Sequence, residues 1–195
     1  MLVLVRHGET VGNRDMIWSG SSETPLTEQG VQQAIEVGRE LTDITFDRVY
    51  SSPLSRALET CNYILAARPI YVGKPIHIRN EFIERSYGVL EGRDYKTTMA
   101  EFPRRKWLEW ERDYLIAPPG GESLSQVEER MSGILKAEVF PLMRAGKAVL
   151  IVAHTNVIKT IIGLCKGLDE DETCQLTIEH AIPYVINQIA IDSLS

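Results

Sequence analysis

Two segments, LVLVRH at 2–7 and KAVLIVAH at 147–154, carry unbroken apolar runs rich in β-branched residues, and each run breaks off on a histidine. Such runs read as buried strands. The segments between them follow a different period. In LTEQGVQQAIEVGREL, at 26–41, Val31, Ala34, Ile35, Val37 and Leu41 recur at helical spacing behind Thr27, a suitable N-cap. FDRVYSS, from Phe46, reads as a second strand ending in polar residues. Pro53 opens a helix through LSRALETCNYILAA, since proline is tolerated in a first helical turn. PIHIR is a short extended piece, and Ser123 with Gln126 forms a capping-box pattern ahead of a helix over 123–144. A further helix follows His154 through Cys165, and IPYVINQIAI, at 182–191, predicts a last strand. Strands alternating with helices predict a three-layer α/β/α sandwich with a mostly parallel sheet. No repeat, low-complexity run or linker divides the chain, so its 195 residues are expected to form one domain, 1–195.

That architecture directs attention to particular residues. In open α/β sheets, ligands sit at the carboxyl ends of the strands. Here one strand ends on Arg6-His7, one on SSPLSR with Arg56, and one on His154. If those strands are neighbours, two arginines and two imidazoles converge on one cationic pocket. The net charge of −6 argues against nucleic acid as the main partner but leaves room for a small anion in a locally cationic site. MLVLV lacks a basic start and runs straight into charge, so it is not read as a signal peptide. The longest apolar stretch, 148–165, is interrupted by His154, Asn156 and Lys159 and makes a poor membrane span. Cys61, Cys165 and Cys174 have no paired spacing, which favours reduced thiols and a cytoplasmic location.

The residue types at the strand ends suit phosphoryl transfer. A neutral imidazole is a good nucleophile toward phosphorus. Arginine, always charged, holds two phosphate oxygens at once. A second histidine, when protonated, can donate to the same oxygens, and a carboxylic acid can protonate a leaving alkoxide. Gly8 is expected to let the backbone approach the nucleophile and its ligand. No His-x-x-x-His or Cys-x-x-Cys spacing suggests a metal, which the arginines would repel, and no Gly-x-Gly-x-x-Gly or Walker sequence follows a strand.

VRHGET at 5–10, SSPLSRALET at 51–60, ERSYG at 84–88, PPGGES at 118–123 and VAHTNVIK at 152–159 together resemble the histidine phosphatase superfamily, the phosphoglycerate-mutase-like proteins. The motifs keep family order and approximate spacing along nearly the whole chain. The resemblance implies that His7 becomes phosphohistidine, that Arg6, Arg56 and His154 hold the phosphate, and that Glu84 is the general acid and base. It further implies substrate contacts at Asn13, Ser19, Gly20, Tyr87, Arg112 and Thr155, and no metal.

Within that family, ERSYG, WERDYLIAPPGGES and IPYVIN are most similar to cofactor-dependent phosphoglycerate mutases, which usually read ERHYG and WRRSYDIAPP. Here Ser86 stands for the histidine, Glu111 for the first of two arginines, Lys159 for a common arginine and Thr155 for a common glycine. An anion where a carboxylate or second phosphate would bind weakens the mutase reading. The chain also stops soon after the last strand, where mutases often carry a covering tail, and an uncovered phosphohistidine is open to hydrolysis. The expected function is therefore hydrolysis of small phosphomonoesters without a cofactor. The alternatives are a mutase using 2,3-bisphosphoglycerate as phosphoryl donor and, more remotely, a non-catalytic phosphate-binding module. The expected partner is a small phosphorylated metabolite, and a homo-oligomer stays open.

Overall fold

The computed structural model describes residues 1–68 and 75–187. Strand β1 (Leu2–Arg6) leads into the short helix α1 (Val11–Arg14), then α2 (Glu28–Glu40), β2 (Arg48–Ser51), α3 (Ser55–Ala66) and β3 (Ile76–Ile78). The middle of the chain folds as two 3-10 turns followed by α4 (Tyr95–Glu101) and α5 (Arg104–Arg112). The remainder runs through α6 (Leu124–Ile134), α7 (Phe140–Arg144), β4 (Val149–Ala153), α8 (Thr155–Lys166), α9 (Glu170–Gln175) and β5 (Pro183–Ile186).

The sheet order is β3-β2-β4-β1-β5, parallel except for β5, which runs antiparallel to β1. Successive strand side chains point to opposite faces, and both faces of the central strands are covered. Leu2, Leu4, Val149, Ile151 and Ala153 face a core built with α6, α7 and α8. Val3, Val5, Leu150 and Val152 face a second core built with α2 and α3. This is why β1 and β4 are apolar without alternation: Leu2–Val5 and Val149–Ala153 are wholly buried. Each such aliphatic side chain contributes about 1.5–3 kcal/mol of burial.

Three local expectations are corrected. The helix after Pro53 starts at Ser55, because Leu54 stays extended and its N–H is captured by Ser52 Oγ at 3.2 Å. The helix over 123–144 is continuous, but Leu135–Val139 widens into a π turn just ahead of Pro141. Proline has no N–H to give and would crowd the carbonyl four residues back, and the wider turn absorbs both defects. The last strand is confined to Pro183–Ile186, with residues 188–191 of the expected run outside the described residues. Among the described residues no helix is long and apolar enough to cross a membrane.

The central strands finish level with one another. Arg6 pairs with Ala153 and Ser51 with Val152, and the ladder continues one step through His7 N to Ala153 O at 3.0 Å and Ser52 N to Val152 O at 3.3 Å. His7, His154 and Ser52 therefore emerge side by side at one sheet edge.

Candidate active site

His7 is almost fully buried, and its Nδ1 lies 2.8 Å from the carbonyl oxygen of Gly8. That contact assigns the proton to Nδ1, which donates to the carbonyl and leaves Nε2 as the bare nitrogen. Burial first, then the guanidinium charges of Arg56 and Arg6, hold the ring far below the usual histidine pKa. His7 is thus a neutral imidazole with a fixed tautomer. Gly8 brings its carbonyl to the nucleophile ring, and its lack of a side chain is also required by packing: a Cβ there would overlap the backbone of Gly30 in the first turn of α2, and one on Gly30 would overlap Glu9. The two glycines let α2 pack directly on the segment that carries His7.

The ring of His154 lies 5.1 Å from that of His7, centroid to centroid. Its Nε2 is 2.7 Å from Ser52 Oγ, and its Nδ1 is buried without a hydrogen bond in the protein. Burial, then Arg56 and His7, keep its pKa well below the ordinary value. Burial and the neighbouring cations disfavour the protonated ring in the absence of an anion.

Two guanidinium groups complete the cationic wall. Arg6 donates through Nη1 to Ile178 O at 2.8 Å, and Arg56 donates to Ser22 O at 2.7 Å and Gly20 O at 2.6 Å. The Nε of each is buried and unpaired. Buried polar atoms are nearly always paired; Trp18 and Arg85 also carry unpaired nitrogens, and those of Arg6, Arg56 and His154 stand out because all three side chains surround His7, an arrangement that suits a ligand rich in acceptor oxygens. Burial lowers both arginine pKa values, and the carboxylate of Glu84 opposes the shift.

Glu84 is buried on the segment between the first 3-10 turn and Ser86. Its Oε1 accepts from Arg85 N at 2.8 Å and its Oε2 from Asn156 N, in the first turn of α8, at 3.4 Å. Arg130 of α6 fixes that segment by donating to the carbonyls of Glu81 and Ile83. The loop opposite is fixed by Glu91, whose carboxylate accepts from Ser21 N, Ser22 Oγ, Ser86 Oγ and Tyr87 N at 2.7–3.0 Å. Gly20 makes this closure possible: its φ of +50° suits glycine, and a Cβ would overlap Glu91.

The cavity among these groups has a volume of about 200 Å³. Arg6, His7, Asn13, Ser19, Gly20, Arg56, Glu84, Tyr87 and Thr155 line it, all of them expected from sequence. Asn13 caps α1 with its Oδ1 accepting from Thr10 N and Oγ1, which leaves its NH2 free. Two expected residues are not on this lining: His154 is fully buried behind it, against the His7 ring, and Arg112 turns away. Neighbours on a helix are turned about 100° apart, and α5 presents Glu111 to the cavity while Arg112 lines a separate surface depression. Arg112 is 72% exposed, with Nε 3.6 Å from Glu111.

Trp18 and Tyr95 line the cavity without a sequence signal of their own; the Trp18 ring is tilted against those of Tyr87 and Tyr95, with centroids 4.7 and 4.3 Å away. Asn156 Nδ2 donates to Tyr87 Oη at 3.0 Å, and Lys159 Nζ donates to Cys174 O at 2.8 Å. Asn156 and Lys159 follow Thr155 along one face of α8, a spacing that could have found them. His180 packs 5.8 Å from the His7 ring with its Nδ1 3.3 Å from His7 O. Burial and Arg6 push its pKa down to about 4.

The family model of the histidine phosphatase superfamily (branch 1) matches residues 2–188. A 2,3-bisphosphoglycerate-dependent phosphoglycerate mutase of Rhizobium etli is 36% identical over 94% of this chain and 88% of its own length. Among solved structures, a mycobacterial glucosyl-3-phosphoglycerate phosphatase in complex with VO3 aligns with a TM-score of 0.82 at 26% identity, over 93% of this chain and 90% of that one. The α-ribazole phosphatase from Shigella flexneri aligns with a TM-score of 0.77 at 28% identity, over 93% and 87%. Fold, site and sequence agree: this chain belongs to branch 1 of the histidine phosphatase superfamily, a family of phosphoryl-transfer enzymes.

Proposed function

We propose that this protein hydrolyses small phosphomonoesters through a phosphohistidine at His7, the chain acting as one catalytic domain over 1–195. The observation that carries the reading is the neutral His7, its Nδ1 committed to Gly8 O, standing among unpaired nitrogens of Arg6, Arg56 and His154. In the first step His7 Nε2 attacks phosphorus in line. The P–N bond forms, the ester P–O bond breaks, and a proton from the Glu84 carboxyl goes to the leaving oxygen. In the second step water attacks the phosphohistidine and gives a proton to the Glu84 carboxylate. The P–N bond breaks, and inorganic phosphate and the starting enzyme result. Arg6, Arg56 and His154 hold the equatorial oxygens throughout, where fixed charge acts most strongly. Asn13 and the backbone at Ser19, Gly20 and Thr155 border the transferring group. Tyr87 borders the leaving group.

The names of the mutase relatives favour a second reading, transfer between positions of one substrate with 2,3-bisphosphoglycerate as phosphoryl donor. That role needs a second anion site beyond the phosphate pocket, and Glu111 faces the cavity there. Beyond Arg6 and Arg56 the lining offers Lys159 with Glu111 against it, a poorer match to a second phosphate than an all-cationic wall, which supports hydrolysis. The free thiols of Cys61, Cys165 and Cys174 support a reducing, cytoplasmic setting. The test is phosphorus NMR with 3-phosphoglycerate, with and without the bisphosphate, beside a panel of phosphomonoesters. Inorganic phosphate without isomerisation, lost in His7→Ala, supports hydrolysis. Bisphosphate-dependent 2-phosphoglycerate would overturn it in favour of the mutase.

A further inference from the structure

The wall facing away from the phosphate pocket carries charges of both signs. Glu111, from the last turn of α5, and Lys159, from α8, both line the cavity. Burial raises the pKa of Tyr87 and Tyr95 and lowers that of Lys159, and the Glu111 carboxylate is among the nearby charges felt by all three. Nothing in the phosphate chemistry calls for an anion here. Trp18, Tyr87 and Tyr95 line the same cavity, with the guanidinium of Arg85 over the Tyr87 ring at 4.7 Å. Lys159 spends one donor on Cys174 O and keeps two. Tyr87 Oη accepts from Asn156, so its own proton is free to be donated.

From this wall we infer that the preferred leaving group is zwitterionic: the site takes small O-phosphorylated amino acids, with the α-ammonium on Glu111 and the α-carboxylate on Lys159 and Tyr87. The inference rests on the phosphatase reading and adds its substrate class.

The experiment compares two esters that differ only in the group at issue. O-phospho-L-serine carries an ammonium where 3-phosphoglycerate carries a hydroxyl. The value of kcat/KM for phosphate release is measured for both on the wild type, Glu111→Gln and Glu111→Arg, with p-nitrophenyl phosphate as a third substrate. A desolvated ammonium–carboxylate contact predicts a wild-type preference for phosphoserine of about tenfold or more. The ratio should fall toward one in Glu111→Gln and invert in Glu111→Arg. Both esters are read on the same protein, so loss of folded enzyme cancels. A wild-type ratio at or below one, or a ratio that Glu111→Gln leaves unchanged, overturns the inference while turnover of p-nitrophenyl phosphate keeps the phosphatase reading standing. Release of phosphate from none of the three removes both readings together.

Discussion

Replacing Glu84 by glutamine removes the proton the leaving oxygen needs while keeping the shape of the side chain. The structure fixes what else is lost. Glutamine Oε1 can keep the 2.8 Å bond from Arg85 N, but its NH2 must then face Asn156 N, whose bond to Glu84 is already long at 3.4 Å. Losing that weak bond costs about 1 kcal/mol, roughly a fivefold effect common to every substrate. General acid catalysis contributes about 10²–10⁴-fold, or about 2.7–5.5 kcal/mol of barrier. In the phosphorylation step that larger loss applies only where the leaving oxygen needs a proton, as an alkoxide does and an activated phenolate does not. The value of kcat/KM, which reports phosphorylation and not the later hydrolysis that also uses Glu84, should therefore fall by at least about a hundredfold on an alkyl phosphomonoester and by under about tenfold on p-nitrophenyl phosphate. Equal losses on the two substrates would refute the assignment of Glu84 as acid and the reasoning behind it.

Glu91→Ala should lower the melting temperature by about 5–10 °C, since it strips charge-assisted acceptors from Ser21, Ser22, Ser86 and Tyr87 at a loss of about 2–4 kcal/mol. It should also raise KM, because Arg56 is anchored on the carbonyls of Gly20 and Ser22 in the freed loop; a thermal scan showing no change, with KM unchanged, contradicts this. His7, His154 and His180 all have pKa values below the ordinary histidine value. As pH falls below about 6.5 the unfolded chain therefore takes up protons that the folded chain refuses. Urea unfolding should accordingly show full stability above about pH 6.5 and a progressive loss toward the pKa of about 4 held by His180; a flat profile across that window contradicts the burial of these rings in neutral form. Inorganic phosphate at a hundred times its Kd should stabilise the protein by about 2.7 kcal/mol, read as a rise in melting temperature of about 5–10 °C. Arg56→Ala should abolish that rise, and its persistence would place the anion elsewhere.

Much of this organisation is legible in the chain because it is local. The apolar runs of β1 and β4, the Thr27 cap and the Ser123 capping box each write their structure into a few adjacent residues. The strand ends carry Arg6, His7 and His154 because the sheet edge is where a ligand can reach them. What stays hidden depends on orientation and on distant packing. Adjacent residues of α5 exchange places, Glu111 inward and Arg112 outward, because helix rotation is set by tertiary contacts. His180 returns to the site through the turn at Ala181, whose φ of +48° and N–H to Arg6 O no short motif announces. Trp18 and Tyr95 meet only because the Ile17–Asp94 bridge joins two loops far apart in sequence. That Gly8 must lack a side chain is likewise settled by Gly30 rather than by its own neighbours.

The account stands on covalent chemistry at one nitrogen, and that can be observed. The protein is mixed with excess phosphomonoester, quenched in alkali within its turnover time, and examined by phosphorus NMR and by mass spectrometry of its peptides. Because Nδ1 of His7 is held by Gly8 O, the account predicts a single acid-labile phosphoryl group on Nε2 of His7, absent from His7→Ala. A phosphoryl group on another residue, or phosphate released at full rate with none trapped on His7, would contradict it.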